Sequence, residues 1–230
     1  MKTVAIVQSN YVPWKGYFDL VHLADEFVLL DDVQFTRRDW RNRNRIKTPQ
    51  GPIWLTIPVE VKGRYHQTIR ETKIAEPGWA DRHLSSLRHS YARAPHFREL
   101  EPFLAAAYAN AAAQSDLSGV NRVFIDAVCE LLAIDSRIST SADFALADDP
   151  TERLVSICRQ AGASRYLSGP SAAAYLDNEP FRRDDIEVAY MSYDGYPEYP
   201  QLHPPFDHAV SILDLLVHTG PEARRFLKSF

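Results

Sequence analysis

The run TVAIV at Thr3–Val7 constrains the chain most. An apolar stretch of that length without alternation predicts a strand covered on both faces, the kind found inside parallel sheets. A parallel neighbour needs a crossover, and the next residues supply one. Lys15–Ala24 sets Phe18, Val21 and Leu23 at helical intervals, and Glu26–Leu30 returns to a strand. The unit is β-loop-α-β, with a right-handed crossover expected.

The rest of the chain extends this pattern. After Asp31 and Asp32, the stretch TRRDWRNRNRIK holds five arginines and a lysine with little apolar periodicity, which predicts an exposed basic loop. Ile53–Val61 alternates as a strand, with Pro58 marking an edge or bulge, and Thr68–Ile74 is its expected hairpin partner. Three helices are predicted at Trp79–Ala92, Phe97–Ala113 and Leu117–Leu132, forming a helical insertion at about 79–134. The βα alternation then resumes: a strand near Arg137–Ser139, a helix at Pro150–Ala161, a strand at Arg165–Ser168, a helix from Pro170 or Ser171, and a strand at Ile186–Met191. Asp149 as N-cap, Pro150 at the first position and Gly162 as terminator mark the second of these clearly. Two helices, broken at Gly220-Pro221, are expected between Asp207 and Phe230. The whole predicts an α/β fold with an open, mostly parallel, Rossmann-like sheet, as one domain over 1–230.

Composition narrows the function. A net charge of −4 gives no global field for nucleic acid or an anionic membrane. No apolar run reaches the roughly 18–20 residues a bilayer span requires, and the N-terminal apolar stretch is too short for a secretory signal, so a cytoplasmic location is expected. Cys129 and Cys158, the two cysteines, sit in apolar helical patterns and are expected to be buried thiols.

Ligands of open α/β sheets bind beyond the carboxyl ends of the strands, which singles out the loops after the first, second and Arg165–Ser168 strands. In QSNYVPWKGY, Gln8, Asn10, Tyr11, Trp14 and Tyr17 offer polar edges and aromatic faces, Lys15 a cation, and Gly16 a helix start open to an anion. The same residues read equally as a turn whose aromatics cap the core. Asp31 and Asp32 are candidate catalytic carboxylates, as a general base or as ligands of a divalent cation such as Mg²⁺, or else they begin a turn. Arg41, Arg43 and Arg45 could form an oxyanion clamp, with Asn44 beside them, or a solvated face. Ser168 and Ser171 flank a turn suited to phosphate or to an ordinary N-cap. His66, His203 and His208 are the acid–base candidates among the histidines, and no metal-ligand spacing, Walker loop, GxSxG or GxGxxG occurs.

The blocks QSNYVPWKGYFDLVHLADEFVLLDDVQF, RNRNRIKTPQGPIWLTIPV, GWADRHLSSLRHSYARAPHF and YPQLHPPFDHAVSILDLLVHTG resemble successive blocks of the WbqC-like protein family, over nearly the whole chain. The resemblance implies a setting in bacterial surface-polysaccharide and O-antigen biosynthesis. It carries Gln8, Asn10, Tyr11, Trp14, Gly16, Tyr17, Asp31, Asp32, Arg43, Asn44, Trp54, Ser211 and Asp214 as the matching residues. The strand and loop layout is also similar to that of nucleotidylyltransferases, though Trp14-Lys15-Gly16-Tyr17 stands where that superfamily carries two histidines. The reading that combines these features is a transferase for a nucleotide-activated sugar or phosphorylated metabolite. In it Asp31 or Asp32 acts as base or metal ligand, and Lys15, Arg43 and Ser171 hold phosphate. A non-catalytic sugar-nucleotide binding or assembly protein is the alternative. No nucleic-acid partner or membrane span is expected, and oligomeric state is open.

Overall fold

Thr3–Val7 is strand β1, and it lies at the centre of a five-stranded sheet. The computed structural model covers residues 1–230 and orders this sheet β5-β2-β1-β6-β7, with every neighbouring pair parallel. The outer members are β2 (Glu26–Leu29), β5 (Arg137–Thr140), β6 (Arg165–Ser168) and β7 (Glu187–Tyr190). The lack of alternation in β1 has a direct physical meaning. Val4 and Ile6 face one apolar cluster with Val155, Ile157 and Cys158, while Ala5 faces the other and larger one.

The helices divide accordingly. α1 (Lys15–His22), α2 (Trp79–Tyr91), α3 (Phe97–Ala112), α4 (Leu117–Leu131) and α7 (Ile212–Thr219) share the larger cluster with Phe27 and Leu29 of the sheet, so the helical insertion packs into the same core. α5 (Pro150–Gln160) and the single turn α6 (Glu179–Arg183) cover the other face. The start of α5 is fixed as its sequence predicts: the Asp149 carboxylate accepts from Thr151 N and Glu152 N, both at 2.9 Å, and Gly162 takes φ +69° just beyond the helix end. Both cysteines are buried free thiols, raised by desolvation to about 12.

Three expectations fail in whole or in part. The basic stretch is not a loop throughout: Arg43–Thr48 is strand β3, antiparallel to β4 (Gly51–Thr56) in a separate hairpin. Its inward face is Asn44 and Ile46, so the period of two is present but half of it is polar. Thr68–Ile74 does not pair with β4 itself; it meets the end of the expected Ile53–Val61 strand at the single antiparallel bridge Val59–Ile74, and other segments at Gln34–Thr68 and Lys73–Asp116. After β6, Pro170–Ala174 forms only a 3₁₀ turn. Asp177, Asn178 and Pro180 follow too closely for the cost of nucleating an α-helix to be recovered.

Candidate functional site

The chain leaves β1 for β2 and β5 on one side and returns to the other side of β1 for β6 and β7. The carboxyl ends of β1 and β6 thus flank the point where strand order reverses, where a parallel sheet opens a crevice. Gln8 and Ser9 leave one strand there and Gly169 the other.

Most of the opening stretch is tied into the protein. Ser9 N donates to Asp31 Oδ1 at 2.9 Å, and Ser9 Oγ accepts from Asn121 Nδ2 at 2.9 Å. Tyr11 was expected in the pocket but is fully buried, its hydroxyl 2.8 Å from His83 Nδ1 and 2.7 Å from Tyr108 OH. Val12 adopts φ +36°, a conformation unfavourable for a β-branched residue. The surroundings impose it: Asn44 Nδ2 donates to the Tyr11 and Val12 carbonyls at 3.1 and 2.8 Å, and Ser211 Oγ donates to the latter at 2.8 Å. Asn44 and Ser211 are thus clasps of this loop. Gly16 also departs from its expected part, since a Cβ there would stand 2.3 Å from the Trp14 indole. The glycine makes room for Trp14, whose ring covers the start of α1 and packs edge-on against Tyr193 and Tyr196 at 4.9 and 5.4 Å.

What remains open is a cleft of about 280 Å³ lined by Asn10, Pro13, Trp14, Trp40, Asn44, His208 and Ala209. Its chemistry is two indole faces and two amides beside an imidazole. Arg41 donates to Asn10 Oδ1 and stands 3.6 Å from Asp39. Tyr17, buried, donates its hydroxyl to the Gln8 carbonyl at 3.3 Å; burial, then the charge of Asp31, keeps that phenol protonated. The His208 ring packs 4.5 Å from Phe206, and its Nδ1 is buried without a partner. Burial, then the nearby Lys15 cation, lowers its pKa, against the opposing pull of Glu198 and Asp207.

The other expected residues lie elsewhere or are occupied. Lys15 is buried; its ammonium donates to Pro197 O at 2.8 Å and sits 4.9 Å from the Tyr196 ring centroid, with burial lowering its pKa to about 8. Asp31 accepts from Ser9 N and from the Ser118 hydroxyl, and Asp32 from Ser141 Oγ at 2.7 Å and Arg70 at 2.6 Å. Both carboxylates therefore hold the loops behind the crevice. No group of three or more His, Cys, Asp or Glu side chains is gathered as a metal-ligand set. Arg43 stacks 4.0 Å over Trp54 on the outer face of the hairpin. Ser168 is buried, its Oγ 3.4 Å from Tyr166 OH, and Ser171 is exposed on the 3₁₀ turn. Neither lines the cleft. Asp214 is fully buried and accepts from Tyr91 OH, Tyr199 OH and Gln201 Nε2 at 2.7–2.8 Å. Desolvation would raise its pKa, but these bonds and His218 hold it below the usual value. His203 Nε2 donates to Ser90 O in the core, 3.1 Å away, and His66 is exposed; of the three candidate histidines only His208 reaches the cleft. Sequence reasoning missed Tyr193 and Tyr196, which buttress Trp14. The tyrosine-rich run YDGYPEY was their only signal.

No helix is long and apolar enough to cross a membrane. Among known proteins, the chain is 51% identical over 228 residues to the "Uncharacterized protein Rv1507c" of Mycobacterium tuberculosis (strain ATCC 25618 / H37Rv), covering 99% of this chain and 98% of that one. No solved structure gives a significant match. The WbqC-like protein family matches residues 8–226, and the chain belongs to that family.

Proposed function

We propose that the cleft binds a nucleotide-activated sugar or a closely related phosphorylated metabolite, and that the protein is a cytoplasmic transferase in bacterial glycan or specialised-metabolite assembly. One observation carries this reading: at the carboxyl edge of a parallel sheet, the indoles of Trp14 and Trp40 line one cleft together with the Asn10 amide and the His208 imidazole. Flat aromatic faces with a few convergent hydrogen-bonding groups suit the apolar faces and hydroxyls of a sugar ring. Positioning and fixed dipoles would supply most of the rate enhancement in such a site.

The non-catalytic alternative draws support from the carboxylates of Asp31 and Asp32, which are engaged by neighbouring groups and do not line the cleft. A thermal-shift screen against nucleotides, nucleotide-sugars and sugar phosphates, with and without Mg²⁺, tests the binding half. A ligand at 100 times its Kd stabilises the folded state by about 2.7 kcal/mol, which in a chain of this size raises Tm by about 5–10 °C. For a sugar-bearing ligand the shift should shrink in Asn10→Ala and in Trp14→Ala. A screen without any such shift removes the reading. Incubating a bound donor with candidate acceptors then separates a transferase, which consumes it, from a binding protein, which does not.

A further inference from the structure

The cleft does not end at Trp40. That indole lies 5.3 Å from Trp54, tilted at 44°, and the two residues are 40% and 42% exposed. Two touching tryptophans left this open form an apolar surface that folding alone does not explain. Cross-strand partners on an antiparallel ladder share a face, so Arg45, opposite Trp54, stands beside it on the outer side of the hairpin. Arg43, on that same face, lays its guanidinium 4.0 Å over the Trp54 ring.

The charge here is local and one-sided. Arg43 donates to the Arg38 carbonyl and makes no ion pair, nor does the exposed Arg38 in the turn before it, while Arg41 and Arg45 reach Asp39 and Asp207 only at 3.6 Å. Four arginines therefore meet two carboxylates on a chain whose net charge is −4. An excess of this size suits a small anion of two or three charges. It is poorly matched to a nucleic-acid duplex, which needs a longer basic track. By contrast, the start of α1 is covered by Trp14, and Lys15 is engaged by Pro197 O, so neither offers an anion site.

We propose that the Trp40–Trp54 shelf is a second subsite continuous with the cleft and takes the nucleoside diphosphate half of an activated sugar. The base stacks on the exposed indoles, the diphosphate lies against Arg43 and Arg38, and the sugar enters between Asn10 and Trp14. This assignment rests on the reading of the cleft as a sugar-nucleotide site.

The test uses the full chain with UDP, GDP and dTDP, each alone and as its glucose conjugate, followed by calorimetry and tryptophan emission. A binding pair is expected among them, and Trp54→Ala and Arg43→Ala should each weaken both its members about tenfold or more, the scale of losing one base-stacking or charged contact. Asn10→Ala should weaken the glucose conjugate while leaving the bare diphosphate unchanged. If conjugates bind and both shelf variants bind them as the unaltered chain does, the shelf assignment is wrong and the cleft reading survives. If no diphosphate and no conjugate binds, both fall together. Preference of the shelf for a single-stranded RNA oligonucleotide over every diphosphate would also overturn the assignment.

Discussion

Gly16 shows how a residue can be read correctly as special and wrongly as to why. A glycine at a helix start suggests an approaching phosphate, yet here the vacant Cβ position is filled by the indole two residues earlier. Gly16→Ala gains about 1 kcal/mol of helix propensity and meets an overpacking cost of about 1–3 kcal/mol, a net loss of about 0–2 kcal/mol. The clash is relieved most cheaply by swinging Trp14 away from Tyr193 and Tyr196. The expected result is a changed tryptophan emission and loss of cleft binding with a stability loss of no more than about 2 kcal/mol; emission and affinity identical to the parent would refute it. Asn44 makes the opposite point. Its two donors hold the Tyr11 and Val12 carbonyls, around the positive φ of Val12. Asn44→Ala should cost about 1–3 kcal/mol in chemical denaturation, and Asn44→Asp more, because a buried carboxylate would face the carbonyl oxygens it replaced a donor for. Equal costs would show that the amide hydrogens are not what holds the loop.

Elements were legible where their inward residues are apolar and obscure where they are polar. The boundaries of α2, α3, α4 and α5 fall within a residue of those predicted, because Leu87, Leu104, Phe124 and Ile157 mark their buried faces. Strand β3 was hidden because Asn44 and Lys47 are buried beside Ile46 in a segment dominated by arginine. Asp19 was invisible for a related reason: an aspartate in an amphipathic run looks solvated. It is fully buried and joins three segments, accepting from Tyr196 OH, from Lys228 N at 3.0 Å and from Ser229 N at 2.8 Å. Lys228 in turn donates to the carbonyls of Ser192 and Asp194, so the loop carrying Tyr193 and Tyr196 is clasped to α1. Asp19→Asn weakens these charge-assisted bonds and presents an NH₂ to backbone donors, with an expected cost of about 2–3 kcal/mol. Hydrogen exchange at Lys228 and Ser229 should accelerate before global unfolding does; exchange that keeps pace with the global rate would mean the clasp is not a local unit.

At the scale of the whole molecule, the parallel sheet was readable because its central strand is apolar on both faces, whereas the site was only partly readable because its walls come from segments about 200 residues apart, Asn10 and Trp14 against His208 and Ala209. The same long-range assembly buries His83, a helix residue with no sequence mark of its importance, under the opening loop. Its Nε2 lies 3.2 Å from Thr56 O and so carries the proton, which leaves Nδ1 to accept from Tyr11 OH, while Tyr108 OH donates to Tyr11 in turn. This chain of donors requires a neutral ring, and burial lowers the His83 pKa from 6.5 to about 4. Above pH 6.5 the folded and unfolded states both hold the imidazole neutral, and the stability is fully present. Between pH 6.5 and 4 the unfolded chain takes up a proton that the folded chain refuses, so stability falls with pH by as much as ~1.4 kcal/mol per unit, about 3 kcal/mol across the window. The buried Asp214, held below the usual carboxylate range, adds acid loss of the same sign only at lower pH. Urea unfolding followed at half-unit steps from pH 7.5 to 4 should therefore show the decline beginning near 6.5. In His83→Gln, where the amide can keep a bond to Tyr11 or Thr56 and cannot titrate, the parent should lose more stability than the variant over the same window by up to that amount. Parallel curves for the two proteins would show that His83 is free to protonate in the folded state, and that the Tyr108–Tyr11–His83 chain does not hold the opening loop to α2.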